Sequence, residues 1–170
     1  MKILFDSDTI RTRVNELGRL ISQDYAGRDL VVVAVLKGSV IFLADLTRRI
    51  EIPHELGFIR ASSYRGETTE SGSLTFSLDS LPAVQDRDLL LLDDIFDTGR
   101  TLEALTREIS KMEPRSLKTG TLLWKLGRSQ LPLVPDYYGF QIPDHFVVGY
   151  GLDYNDRYRH LPHIALYEPQ

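Results

Sequence analysis

One stretch constrains the fold of this chain more than any other: Leu89-Leu90-Leu91-Leu92-Asp93-Asp94-Ile95-Phe96-Asp97-Thr98-Gly99-Arg100-Thr101. Four consecutive leucines leave no polar face, which suits a strand buried on both faces of a parallel sheet. Carboxylates follow at Asp93, Asp94 and Asp97. After Thr98-Gly99-Arg100-Thr101 a helical pattern begins, with Leu102, Leu105, Ile109 and Met112 on one side. The reading is a strand, an acidic turn, a hydroxyl-rich loop and a helix N-terminus. Backbone N–H groups, two hydroxyls and a guanidinium equip such a loop to hold a phosphate. The carboxylates would repel that phosphate unless they face something else, and a ribose diol or a metal ion meets that need. One Asp at a strand end often does no more than cap a helix. Three of them at a strand-to-helix switch, where open α/β sheets bind ligands, point to a site. No Gly-Lys-Ser/Thr follows a spaced glycine and no Gly-x-Gly-x-x-Gly occurs, so neither a Walker loop nor a dinucleotide fold is supported.

The rest of the chain alternates strand and helix patterns. Asp8 is placed to cap a helix with Ile10, Val14, Leu17 and Ile21 on one stripe. Leu30 to Leu36 is a β-branched run that reads as a central parallel strand. Ser39 then caps a helix through Ile50, ended by Pro53. Strands are expected over Leu56–Ala61, Leu74–Leu78 and Thr119–Trp124, with a polar, lid-like loop over Ser62–Ser73. The C-terminal third, with Pro132, Pro135, Pro143, Pro162 and Pro169, reads as an irregular addition and not another strand–helix unit. The whole is an α/β fold with a mainly parallel sheet.

At 170 residues one domain is expected. The balance of 24 acidic to 20 basic residues, net −4, argues against a nucleic-acid partner. The absence of Cys excludes disulfides, thiolate catalysis and zinc–thiolate sites. The N-terminus lacks the apolar stretch of a signal peptide, and no segment approaches the roughly 18 apolar residues of a membrane span. A soluble cytoplasmic protein with no membrane partner is the expectation.

Two further segments matter. Lys37-Gly38-Ser39, again between a strand and a helix, can present amides and an ammonium to a second phosphate, although alone it is an ordinary turn. Tyr138 to Tyr154, YGFQIPDHFVVGYGLDY, reads as a strand pair with an aromatic-rich turn, in which Phe146 would by itself count as core.

The 89–102 stretch resembles the phosphoribosyl pyrophosphate (PRPP) motif of type I phosphoribosyltransferases. The 138–154 block narrows the resemblance to the hypoxanthine (hypoxanthine-guanine) phosphoribosyltransferase family, and the match runs over about residues 30–166. The resemblance implies a type I phosphoribosyltransferase fold. Its mainly parallel central sheet is flanked by helices, over about residues 25–124, with a small hood from about 1–24 and 125–170. It implies Mg²⁺-dependent transfer of 5-phosphoribose from PRPP to hypoxanthine and guanine, giving IMP and GMP plus pyrophosphate.

Roles follow by position. Asp93, Asp94, Ile95, Asp97, Thr98, Gly99, Arg100 and Thr101 would hold PRPP, with Asp97 as proton acceptor. Lys37, Gly38 and Arg159 would hold pyrophosphate, with the Leu36–Lys37 peptide cis. Ser63 and Tyr64 belong to the lid loop. Lys125, Phe146, Val147 and Asp153 would hold the purine, and Asp93, Asp94 and Asp153 the metal. A homo-oligomer, dimer or tetramer, is implied as well. Two departures stand out: Asp93 where many relatives carry Glu, and His145 where Lys is expected. Two alternatives stay open, a xanthine-preferring enzyme and a phosphoribosyltransferase-fold regulator that binds RNA.

Overall fold

The computed structural model describes residues 1–63, 74–129 and 132–168. Its elements are β1 (Lys2–Phe5), α1 (Ser7–Asp24), β2 (Leu30–Leu36), α2 (Val40–Thr47), β3 (His54–Ser63), β4 (Leu74–Ser80), β5 (Asp88–Phe96), α3 (Arg100–Ser110), β6 (Ser116–Lys125), β7 (Tyr137–Ile142), β8 (Val147–Val148) and β9 (Ile164–Leu166). A six-stranded sheet has the order β4-β3-β2-β5-β6-β7, parallel except for β4. A small antiparallel sheet, β1-β9-β8, forms the hood.

The apolar runs of β2 and β5 explain the layering. Their side chains alternate between two cores, as strand geometry requires. Leu30, Val32, Ala34, Leu90 and Leu92 pack with α1 and α2 on one face. Val31, Val33, Val35, Leu89 and Leu91 pack with Leu102, Leu105 and Ile109 of α3 on the other. The expected α/β class, mainly parallel with flanking helices, is what forms.

Three local expectations need correction. The cap of α1 is Asp6, whose carboxylate accepts the Thr9 N–H at 2.8 Å; Asp8 sits in the first turn. Ser39 precedes α2 but makes no cap bond, donating instead to the Val35 carbonyl at 2.5 Å, and the helix ends at Thr47, short of Ile50. The acidic turn after Leu92 is strand: β5 continues to Phe96 because β6 keeps pairing with it as far as Phe96↔Trp124. β7 is a sixth strand of the main sheet, held parallel to β6, and α1 packs into the main core. Among the described residues no helix is long and apolar enough to cross a membrane.

Candidate active site

The chain runs from β2 outward to β3, then returns to place β5 on the other side of β2. Sheets that reverse in this way bind ligands in the crevice at the carboxyl ends of the strands flanking the reversal. Here β2–β5 pairing stops at Ala34↔Leu92 while β5 runs on, so the two strands part and a cavity of about 430 Å³ opens. Gly38, Asp93, Asp94, Asp97, Thr98, Gly99 and Thr101 line it, with Asp153 and Arg159 facing them from the hood segment.

Asp93 is buried at 8% exposure and Asp94 is half-buried. One oxygen of each is taken by the chain itself: Asp94 N–H donates to Asp93 Oδ1 and Ile95 N–H to Asp94 Oδ1, both at 2.9 Å. Burial pushes both carboxyls above the ordinary carboxylate range, and for Asp93 repulsion from Asp94 adds to it. A Cβ at position 38 would run into the Asp94 carboxylate, which would have to move. Gly99 has φ +83° and faces the Phe96 ring, which turns the chain into α3. Gly99 offers α3 no side-chain cap, and the Arg100 N–H reaches Thr98 Oγ1 only at 3.5 Å; a helix N-terminus of this kind favours an anion.

The Leu36–Lys37 peptide is cis. Lys37 Nζ reaches Asp156 at 3.3 Å on the surface. Arg159 donates from Nη1 to the Gly151 carbonyl and pairs through Nη2 with Asp153, both at 2.7 Å. Asp153 also accepts the Asp156 N–H at 2.8 Å. Asp93, Asp94 and Asp153 therefore share a cavity without converging: among the described residues no three His, Cys, Asp or Glu side chains form a metal cage. An open, all-carboxylate donor set still suits a hard cation such as Mg²⁺, which commonly takes one or two carboxylates and completes its shell with water and substrate phosphates.

A smaller cavity of about 220 Å³ adjoins the first, sharing Asp94, Ile95, Asp97 and Asp153 with it. Its other lining residues are Lys125, His145, Phe146, Val147 and Leu152. Phe146 is 52% exposed, yet its ring is held edge-on by Tyr154 and Tyr167, with centroids 5.8 Å away in each case. Buried Val147 is paired with Leu166 in the hood sheet. Lys125, at the end of β6, is buried against Asp144 Oδ1 at 3.1 Å and Asp97 Oδ2 at 3.7 Å. Its bond holds the Asp144 carboxyl below the usual range. Ser63 closes β3; the lid residue Tyr64 lies outside the described residues.

Sequence reasoning missed Arg128 and Asp144. Arg128 donates from Nε to Asp97 Oδ1 at 2.8 Å and from Nη1 to Asp144 Oδ2 at 3.0 Å. The available signal was place: Arg128 lies just past the carboxyl end of β6, where such sheets put ligand-handling residues.

Known proteins resemble this arrangement throughout. The model of the phosphoribosyl transferase domain matches residues 2–155. The bifunctional protein TilS/HprT of Listeria innocua is 41% identical over 169 residues, 99% of this chain, and the chain spans only 26% of that relative's length. The hypoxanthine-guanine phosphoribosyltransferase of Lactococcus lactis is 41% identical over 99% of this chain and 92% of its own length. The crystal structure of a hypoxanthine phosphoribosyltransferase from Staphylococcus aureus superimposes with a TM-score of 0.92 at 38% identity, covering 99% of this chain and 92% of that one.

Proposed function

Because this chain belongs to the phosphoribosyltransferase family and has its type I fold, we propose that it works in purine salvage. It transfers 5-phosphoribose from PRPP to hypoxanthine, and to guanine, giving IMP or GMP and pyrophosphate. One observation carries this reading: two adjoining cavities of different character share Asp94, Ile95, Asp97 and Asp153. One offers carboxylates and helix amides, the other an ammonium and an aromatic ring.

In this reading the bond from ribose C1′ to the pyrophosphate oxygen breaks, and pyrophosphate leaves with the electron pair. The bond from C1′ to the purine nitrogen forms, and the imidazole proton passes to Asp97. Proton transfer of this kind contributes about 10²–10⁴-fold. The amides of Thr98 to Thr101, with the Thr98 and Thr101 hydroxyls, take the 5-phosphate, and Arg100 adds positive charge. Ile95 lines the passage between the cavities. Asp93 and Asp94 take the ribose diol. Lys37, Gly38 and Arg159 take pyrophosphate. Phe146 stacks on the base and the Val147 backbone reads its edge. Lys125 donates to the six-position oxo group; an ammonium only donates, so a six-amino group is disfavoured. Asp93, Asp94 and Asp153 would hold Mg²⁺. When bound, it would offset the charge of the departing pyrophosphate. A cytoplasmic homo-oligomer, dimer or tetramer, completes the reading.

Pyrophosphate release from PRPP and hypoxanthine tests it. Turnover is expected with Mg²⁺ and none with EDTA. Asp97→Asn is expected to lower kcat by about 10²–10⁴-fold with little change in KM for PRPP. A normal kcat in that variant removes Asp97 as the proton acceptor, and a wild type silent with hypoxanthine and guanine removes the function.

A further inference from the structure

Four charged side chains close a ring beside the smaller cavity. Arg128 bridges Asp97 Oδ1 at 2.8 Å and Asp144 Oδ2 at 3.0 Å. Lys125 bridges Asp144 Oδ1 at 3.1 Å and Asp97 Oδ2 at 3.7 Å. Each carboxylate presents one oxygen to each cation, and the charges balance. The ring joins three separate segments: the loop after β5, the end of β6 and the turn between β7 and β8. Asp97 and Lys125 line the cavity; Arg128 and Asp144 do not.

We propose that Arg128 and Asp144 are positioning residues for the transfer: Arg128 orients the Asp97 carboxylate, and Asp144 holds Lys125 away from it. The inference rests on the functional reading above, in which Asp97 accepts a proton and Lys125 meets the oxo group. The terminal torsion of an Asp is broad, so a carboxylate 36% exposed needs an external bond to fix its plane. Arg128 supplies that bond at Oδ1, which leaves Oδ2 to accept the proton. Lys125 stands closer to Asp144 than to Asp97. Without the Asp144 charge, its nearest anion is Asp97, and a closed Lys125–Asp97 pair would occupy both groups needed by the base.

A double-mutant cycle reads this directly. Arg128→Ala should lower kcat about ten- to hundredfold, the scale of a small misplacement of a reacting group, and leave KM for PRPP within about twofold. In an Asp97→Asn background the same change should alter kcat less than about twofold, because the group it positions is gone. Arg128→Lys keeps the charge but loses the rigid fork that gives Nε to Asp97 and Nη1 to Asp144, so it should lose nearly as much. Asp144→Asn should lower kcat and raise KM for hypoxanthine. Equal losses in both backgrounds, or full activity in Arg128→Lys, overturn the inference. If wild type fails to turn over hypoxanthine, the functional reading falls; if wild type is active and the cycle is additive, only the positioning role falls.

Discussion

Asp94→Asn should make the metal-free protein more stable while abolishing turnover. Asp94 is half-buried beside Asp93, and burial pushes its carboxyl up, with the Ile95 N–H and then Arg159 offsetting part of the effect. The folded state therefore keeps protons that the unfolded chain releases. By linkage, the stability from this group is fully present below its ordinary value of 3.8 and is lost as pH rises through the raised folded value. Asn has the same shape, so it leaves no cavity, and its Oδ1 can still accept the Ile95 N–H. Relieving a defect of this kind commonly gains about 0.5–2 kcal/mol. In a domain of this size 1 kcal/mol moves Tm by about 2–4 °C, so Tm at pH 7 should rise by about 1–8 °C. Thermal unfolding in EDTA, followed by circular dichroism at pH 7 and pH 4, measures it. The gain should shrink as pH falls from 7 to 4, because the wild-type carboxyl takes up its proton more readily in the folded state. A lower Tm for the variant at pH 7, or an equal gain at both pH values, would show that the Asp94 charge does not destabilise the fold.

Three further substitutions separate the site from its scaffold. Lys125→Met removes a charged hydrogen bond worth about 1.5–3 kcal/mol, so kcat/KM for hypoxanthine should fall roughly ten- to hundredfold while adenine gains relative to it in steady-state kinetics. Gly99→Ala forces a side chain into φ +83° with its Cβ 2.8 Å from the Phe96 ring. It should cost about 1–2 kcal/mol in thermal unfolding and raise KM for PRPP. Arg87, at the opposite end of the sheet, bonds Asp29 at 2.8 and 2.9 Å and Glu55 at 2.6 Å. Both acids are more than half exposed, so Arg87→Ala should cost only about 1 kcal/mol in Tm measurements and leave kcat and KM unchanged.

The parts legible in the sequence are those written locally. The apolar runs 30–36 and 89–92 announced strands buried on both faces, and each now feeds two cores. The stripe of Ile10, Val14, Leu17 and Ile21 announced α1, but periodicity does not mark a first residue, and Asp6 took the cap from Asp8. What long-range pairing decides stayed hidden. Asp93 and Asp94 read as a turn by composition, yet β6 extends the strand through them. The segment after residue 131 read as an irregular addition with a strand pair near 138–154, yet β7 docks on β6 as part of the main sheet. The placing of Asp97, Lys125 and Phe146 around one cavity came from resemblance, not from spacing. Arg128 and Asp144 left no local pattern, because their ring unites segments 31 and 16 residues apart.

On the proposed mechanism, the paired cavities join phosphoribose to a six-oxopurine. The direct measurement is kcat/KM for pyrophosphate release from PRPP and Mg²⁺ with hypoxanthine, guanine, xanthine, adenine and uracil in turn. Hypoxanthine or guanine should rank first, with adenine and uracil far behind, and EDTA should abolish every rate. Preference for adenine or uracil, or silence with all five bases from protein that still binds PRPP, would contradict the account.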